Sequence, residues 1–117
     1  MNFDISHNNQ YALVVSNVEK LDINASSELK SELVMLNKNG INSIVLDLSK
    51  TLYCDSSGLS SILVANRLCK DSSGQFILCG LNAKILKLIE ISQLDKVLNI
   101  TETAQKAQEI FVVKNDI

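Results

Sequence analysis

Residues 44–48, IVLDL, leave almost no polar face. A strand with one wet side alternates apolar and polar residues. A short run that is apolar nearly throughout, and β-branched at its start, belongs to a strand covered on both faces or to the centre of a sheet. Residues 75–79, QFILC, repeat the pattern. Between the two runs lies a stretch of helical character at residues 59–68. A helix is the usual connection between parallel neighbours, so these three segments together imply an α/β sheet.

The rest of the chain fits around that constraint. Phe3 and Ile5 alternate with Asp4 and Ser6, His7-Asn8-Asn9 supplies turn chemistry, and residues 11–15 resume an apolar run, which predicts an opening hairpin. Ala25, Leu29, Leu33 and Leu36 recur at helical spacing behind Asn24, a candidate N-cap, with Gly40 as the stop. Ser27, Glu28, Lys30, Ser31 and Glu32 form the opposite, wet face of that helix. Residues 59–68 are apolar nearly all round in their first turns, so this helix is expected to be largely buried, ending at Lys70-Asp71-Ser72-Ser73-Gly74. Asn82 is expected to cap a third helix with Ile85, Leu86 and Ile89 inward and Lys84, Lys87 and Glu90 outward. Residues 97–100 read as a last strand, and Thr101 as the cap of a final helix carrying Ala104, Ala107 and Phe111. The order ββαβαβαβα describes an α/β fold: a mixed central sheet with mostly parallel crossovers, packed against helices. Right-handed crossovers gather the strand-to-helix loops along one edge, where such sheets carry their functional groups.

At 117 residues the chain is expected to form one domain spanning residues 1–117. No apolar stretch approaches the roughly 20 residues that cross a bilayer, so direct membrane insertion is not expected. MNFDISHNNQ lacks the basic region and apolar core of a secretory signal, which makes the cytoplasm the expected location. The formal net charge of -2, scattered lysines, 4% aromatics and absence of Trp supply neither a basic stripe nor a stacking platform for nucleic acid. Cys54, Cys69 and Cys79 are odd in number, lack CxxC spacing and sit among apolar neighbours, as reduced packing residues do. P-loop and dinucleotide glycine patterns are missing, so bound nucleotide is not expected; the expected cofactor is none and the expected metal is none.

Residues 53–59, YCDSSGL, break the apolar texture on the functional edge, between the IVLDL strand and the helix. Asp55 or Ser56 can accept hydrogen bonds from the helix's first free N–H groups, and Gly58 allows a tight turn or a close approach to a partner. One cap suffices for a helix start. Two successive serines leave a spare hydroxyl at a helix N-terminus, where free N–H groups and the positive end of the dipole stabilise a phosphate. Phosphorylation adds about -1.5 to -2 charge at one point, comparable to the -2 of the whole chain. A hydrolase reading fails because the G-x-S-x-G elbow is missing and the single histidine, His7, lies in a polar turn. A receiver domain would take phosphate on Asp47 or Asp55, but it needs an acidic pair after the first strand to hold a divalent ion, and NNQYALVV offers none.

IVLDLS followed by YCDSSGLSSIL resembles the signature of STAS domains, the family of bacterial anti-sigma-factor antagonists. KLDINASSELKSEL is similar to that family's Leu-Asp turn before the first helix, and FILCGLNAKILKLIEISQLDKVLNI to its later strand, helix and closing strand. The resemblance implies a non-enzymatic switch protein that is phosphorylated on Ser57, with Ser56 the minor or capping hydroxyl. It implies docking through Asp22, Asn24, Ser56, Ser57 and Leu59 onto an anti-sigma-factor serine kinase related to histidine-kinase ATPases. Binding frees the sigma factor, phosphorylation by the same kinase breaks the complex, and a metal-dependent phosphatase of the PP2C type resets it. Asp22 and Asn24 have the competing reading of turn residue and N-cap. The same fold also serves as a scaffold or regulatory subunit of stress-sensing complexes or of lipid and anion transporters, and there the serines act only as caps.

Overall fold

The computed structural model describes residues 1–115, with residues 116 and 117 of the expected domain lying outside the described part. The chain opens with the expected antiparallel hairpin of β1 (Phe3–His7) and β2 (Ala12–Ser16). Asn8 closes its turn by accepting the N–H groups of Gln10 and Tyr11 at 2.8 and 3.0 Å. β4 (Ile44–Asp47) lies parallel to β2, β6 (Phe76–Cys79) parallel to β4, and β7 (Asn99–Thr101) parallel to β6. Among the described residues these form a mixed five-stranded sheet in the order β1-β2-β4-β6-β7.

The absence of a polar face in IVLDL and FILC has a direct cause: both faces of the sheet are covered. Ile44, Leu46, Leu48, Phe76 and Leu78 join the larger core with Leu29 and Leu33 of α1 (Ile23–Lys38), Ile62 and Ala65 of α2 (Ser56–Asp71), and Ile85 and Ile89 of α3 (Ala83–Ile91). Val45, Ile77 and Cys79 belong to a second cluster with Ala107 and Phe111 of α4 (Ala104–Asn115). There the Phe111 ring stacks on Tyr11 at 4.6 Å between centroids. Each fully buried Ile, Leu or Val contributes roughly 1.5–3 kcal/mol, so these two strands anchor both layers.

The structure departs from expectation in several places. Two short strands, β3 (Lys20–Leu21) and β5 (Tyr53–Cys54), pair in parallel in a ladder of their own, so the first two residues of the YCDSSGL interruption are strand rather than loop. A 3₁₀ turn, Leu94–Lys96, precedes β7, which starts at Asn99. α2 is buried on one face only, through Gly58, Ser61, Ile62, Ala65, Asn66 and Cys69, because the sheet and α1 occupy one flank; Leu63 on the other flank is 38% exposed. Leu86, expected inward, is exposed as well. Ser61 can lie inside because its hydroxyl donates to the Gly58 carbonyl at 2.7 Å.

Two caps also move. Asp22, not Asn24, caps α1, and Lys106 N–H donates to the Thr103 hydroxyl at 3.1 Å, so Thr103 rather than Thr101 opens α4. Asn82 caps α3 as expected, accepting the Ile85 N–H at 2.9 Å. α2 closes with Gly74 N–H donating to the Cys69 carbonyl at 2.7 Å and Ser73 N–H to the Lys70 carbonyl at 3.1 Å. In this arrangement the residue in Ser73's place is usually glycine. Ser73 holds it at φ +63°, a left-handed conformation that is costly for a residue with a Cβ. Ser73→Gly is therefore expected to raise stability by about 0.5–1 kcal/mol, read as a higher urea midpoint with unchanged slope, while Ser73→Ala gives no gain.

Candidate functional site

β3 and β5 each last two residues, and each runs directly into an aspartate that caps a helix. The ladder pairs Leu21 with Cys54, so the next residues, Asp22 and Asp55, occupy equivalent places at one edge of the fold. Their backbones match closely, at φ/ψ of −97/−168° and −100/−170°. Asp22 accepts the N–H groups of Asn24 and Ala25, each at 3.1 Å, and Asp55 accepts that of Gly58 at 3.0 Å. α1 and α2 thus start side by side.

Gly58 sits in ordinary helical backbone and is buried. A Cβ there would lie 2.5 Å from Cys54 Sγ and 2.6 Å from the Leu21 carbonyl oxygen. Its role is to let the first turn of α2 seat on the short ladder, so the close approach is made within the chain, not to a partner and not in a turn.

Because Asp55 does the capping, both serine hydroxyls are spare. Among the described residues neither Ser56 Oγ nor Ser57 Oγ has a hydrogen-bond partner. Ser56 is exposed, Ser57 and Leu59 are half-buried, and none of the three lies in the core. Asn24 is exposed in the first turn of α1, and its side chain is not the cap. The ladder brings together the two segments, 22–24 and 55–59, that contain every candidate docking residue.

Thr51 holds this edge in place, and no pattern in the sequence singled it out, since a lone threonine between Lys50 and Leu52 has no periodic partner. It is 1% exposed, its hydroxyl lies 2.8 Å from Ser16 Oγ, and it donates to the Val18 carbonyl at 2.8 Å. The Glu19 carbonyl accepts both Leu52 and Tyr53 N–H, at 2.8 and 3.0 Å. Asn82 Nδ2 donates to the Leu52 carbonyl at 3.1 Å, tying the loop to the start of α3.

Between this loop and α3 runs a groove of about 780 Å³ whose apolar wall is Leu52, Tyr53, Leu59, Ile85 and Leu88, with Ser56 and Lys84 also lining it. It draws on residues some thirty positions apart, so only the exposed Leu52 and Tyr53, apolar side chains in an otherwise polar loop, hinted at it. Leu52 and Tyr53 of this wall are 58% and 53% exposed, and Ile23, in the first turn of α1 and outside the groove's lining, is 65% exposed.

The other chemistry at this edge is quiet. Burial, with the Asp55 charge second, pushes the Cys54 thiol up to about 11, so it stays protonated near neutral pH. Burial likewise lifts Cys69 to about 11 and Cys79 to about 12. All three are free, buried thiols. Asp47 accepts the Ser49 N–H at 2.9 Å, and a Cβ on Gly80 would lie 2.6 Å from it, so that carboxylate is committed to a turn.

The family profile of the STAS domain matches residues 2–107. BtrV of Bordetella bronchiseptica, described as an anti-sigma factor antagonist, is 26% identical over 86 residues, 74% of either chain. Among solved structures, a protein of Thermotoga maritima described as an anti-sigma factor antagonist superposes with a TM-score of 0.82 at 25% identity, covering 93% of each chain. The Bacillus cell fate determinant SpoIIAA, in its phosphorylated form, has a TM-score of 0.73 at 18% identity, with 92% of this chain and 96% of that one covered.

Thr51→Val should lower stability by about 1–3 kcal/mol, measured by urea unfolding, because it leaves Ser16 buried without its partner. The thiols predict a pH dependence with a definite sign. Their folded pKa values are raised above the ordinary 9.0, so the stability they contribute is complete below about pH 9 and is lost as pH rises towards 11–12. Urea midpoints from pH 7 to 10.5 should fall at the alkaline end, and less steeply in Cys69→Ala.

Proposed function

The chain belongs to the STAS domain family, and on that premise we propose that it is an anti-sigma-factor antagonist switched by phosphorylation of Ser57, with Ser56 the minor acceptor. The observation that carries this is the division of labour at the start of α2: Asp55 caps the helix, and two hydroxyls beside it have no partner among the described residues. Among the described residues the Asp55 carboxylate accepts the Gly58 N–H alone, so the N–H groups of Ser56 and Ser57 remain available to a phosphate on the first turn. SpoIIAA, which has the same fold, exists in a phosphorylated form, and that supports a phosphate on this architecture.

The unmodified protein docks an anti-sigma-factor serine kinase, a relative of histidine-kinase ATPases, through Asp22, Asn24, Ser56, Ser57 and Leu59. The sigma factor is thereby released. The kinase then transfers phosphate to Ser57, and about -1.5 to -2 charge appears beside Asp55 and across the ladder from Asp22. Acidic or apolar partner groups that tolerated a neutral hydroxyl now meet repulsion and a desolvation cost, so the complex opens. A PP2C-type phosphatase removes the phosphate. The chain itself supplies an acceptor and a surface rather than a catalytic group, and it works in the cytoplasm. The scaffold reading, in which the serines serve only as caps, is disfavoured because Asp55 already fills that role.

Incubation with the cognate kinase and ATP, followed by mass spectrometry, should label Ser57, and the label should vanish in Ser57→Ala; a label that persists there overturns the assignment. Ser57→Asp should weaken kinase binding at least tenfold, about 1.4 kcal/mol, while Ser57→Ala binds nearly as wild type. Equal affinities by calorimetry would remove the charge mechanism.

A further inference from the structure

We propose that a phosphate on Ser57 is received in the seam between α1 and α2, where the buried hydroxyl of Ser26 donates to it. The proposal rests on the antagonist reading above, with Ser57 as the phosphorylated residue, and names what holds the group once it is attached. Ser26, the fourth residue of α1, is 1% exposed, and its Oγ is the buried side-chain oxygen that lacks a hydrogen-bond partner among the described residues. A buried hydroxyl in that condition is costly and calls for an explanation. A local remedy exists and is not taken. Ser27 and Ser31, on the same helix, donate back to the carbonyls of Ile23 and Ser27 at 3.0 and 3.2 Å, whereas Ser26 Oγ makes no such bond to the Asp22 carbonyl.

The packing of the two helices places Ser26 against a particular neighbour. α1 and α2 lie side by side at both ends: the ladder holds Leu21 beside Cys54 where they begin, and further on Asn37 Nδ2 donates to the Leu68 carbonyl at 3.4 Å and to Ser72 Oγ at 3.1 Å. Ser26 precedes Asn37 by eleven residues, about three whole turns, so the two share one flank of α1. Ser57 precedes Leu68 by the same eleven on α2. Moving the contact of Asn37 with Leu68 back three turns along both helices sets Ser26 opposite Ser57, each pair being 31 positions apart in the chain. The groove on the far side of α2 agrees, since Ser56 and Leu59 line it and Ser57 does not. Two hydroxyls without partners among the described residues thus meet across the seam.

A phosphate there works against the Asp22 and Asp55 carboxylates, which cap the two helices at this edge and repel a dianion. Against that repulsion the seam supplies donors: the N–H groups of Ser56 and Ser57 from α2, and the Ser26 hydroxyl from α1. Held from both helices, the dianion stands between segments 22–24 and 55–59 and alters both halves of the docking edge at once. A phosphate on the more exposed Ser56 would face the groove with α3 and stand away from Asn24.

Phosphoserine installed at position 57 during protein synthesis makes the test independent of any kinase. The second pKa of that phosphate, followed by ³¹P NMR, is expected to rise by about 0.5–1 unit in Ser26→Ala, because the lost donor favoured the dianion. With phosphoserine at position 56 instead, Ser26→Ala should leave the phosphate titration unchanged. The titratable groups around the helix starts, Lys20, Asp22, Lys30, Cys54, Asp55 and, across the groove, Lys84, are common to every protein compared. Stability should change sign as well. Ser26→Ala raises the urea midpoint of the unmodified protein, where the hydroxyl has no partner, and lowers that of the protein phosphorylated at 57. An unchanged titration at 57, an equal change at 56, or a lowered midpoint in the unmodified variant would overturn the proposal. A failed kinase assignment shows itself separately, as a label outside Ser57.

Discussion

The functional edge depends on the pairing of Leu21 with Cys54. Two strands of two residues each would not survive alone, but this ladder is buried at Leu21 and Cys54 and closed over by the first turn of α2. Gly58 makes that closure possible, since any side chain there meets the Leu21 carbonyl and the Cys54 sulfur. From this contact follows the rest of the edge: two extended segments stop at the same level, two aspartates cap two helices, and two serine hydroxyls have no hydrogen-bond partner among the described residues. A chain that needed a serine to cap α2 would have had only one hydroxyl to spare.

The larger architecture was legible because burial on both faces removes polar alternation. The unbroken apolar runs IVLDL and QFILC could be read as strands covered on both faces or central in a sheet, and α1 could be phased from Ala25, Leu29, Leu33 and Leu36, all of which are buried. The errors lie where a third party decides. Both Asp22 and Asn24 are good caps, and what selects Asp22 is that Leu21 is still held in the ladder when the chain leaves extended backbone. A two-residue strand shows no period, so β3 and β5 left no trace in the sequence pattern. Leu63 and Leu86 look like core residues because they are apolar, and their exposure depends on which flank of each helix has a neighbour.

At the candidate site the motif was readable and its division of labour was not. DSSG announces a helix start with surplus hydroxyls, yet only the fold separates the cap, Asp55, from the exposed Ser56 and the half-buried Ser57. The groove was less accessible still, since it joins residues 52–59 to Lys84, Ile85 and Leu88 across the start of α3. Lys84 in the sequence is one more lysine on a wet helix face. That it shares a groove with Asp55 and Ser56 is a property of the folded surface.

The buried Thr51 hydroxyl, fixed between Ser16 and Val18, has a kinetic consequence. A loop tied at that depth, and again through Asn82, is already ordered before any partner arrives, so the entropy of arranging it is spent during folding and not at encounter. Association can then proceed by rigid-body contact without a slow rearrangement step, and dissociation cannot rely on the loop melting.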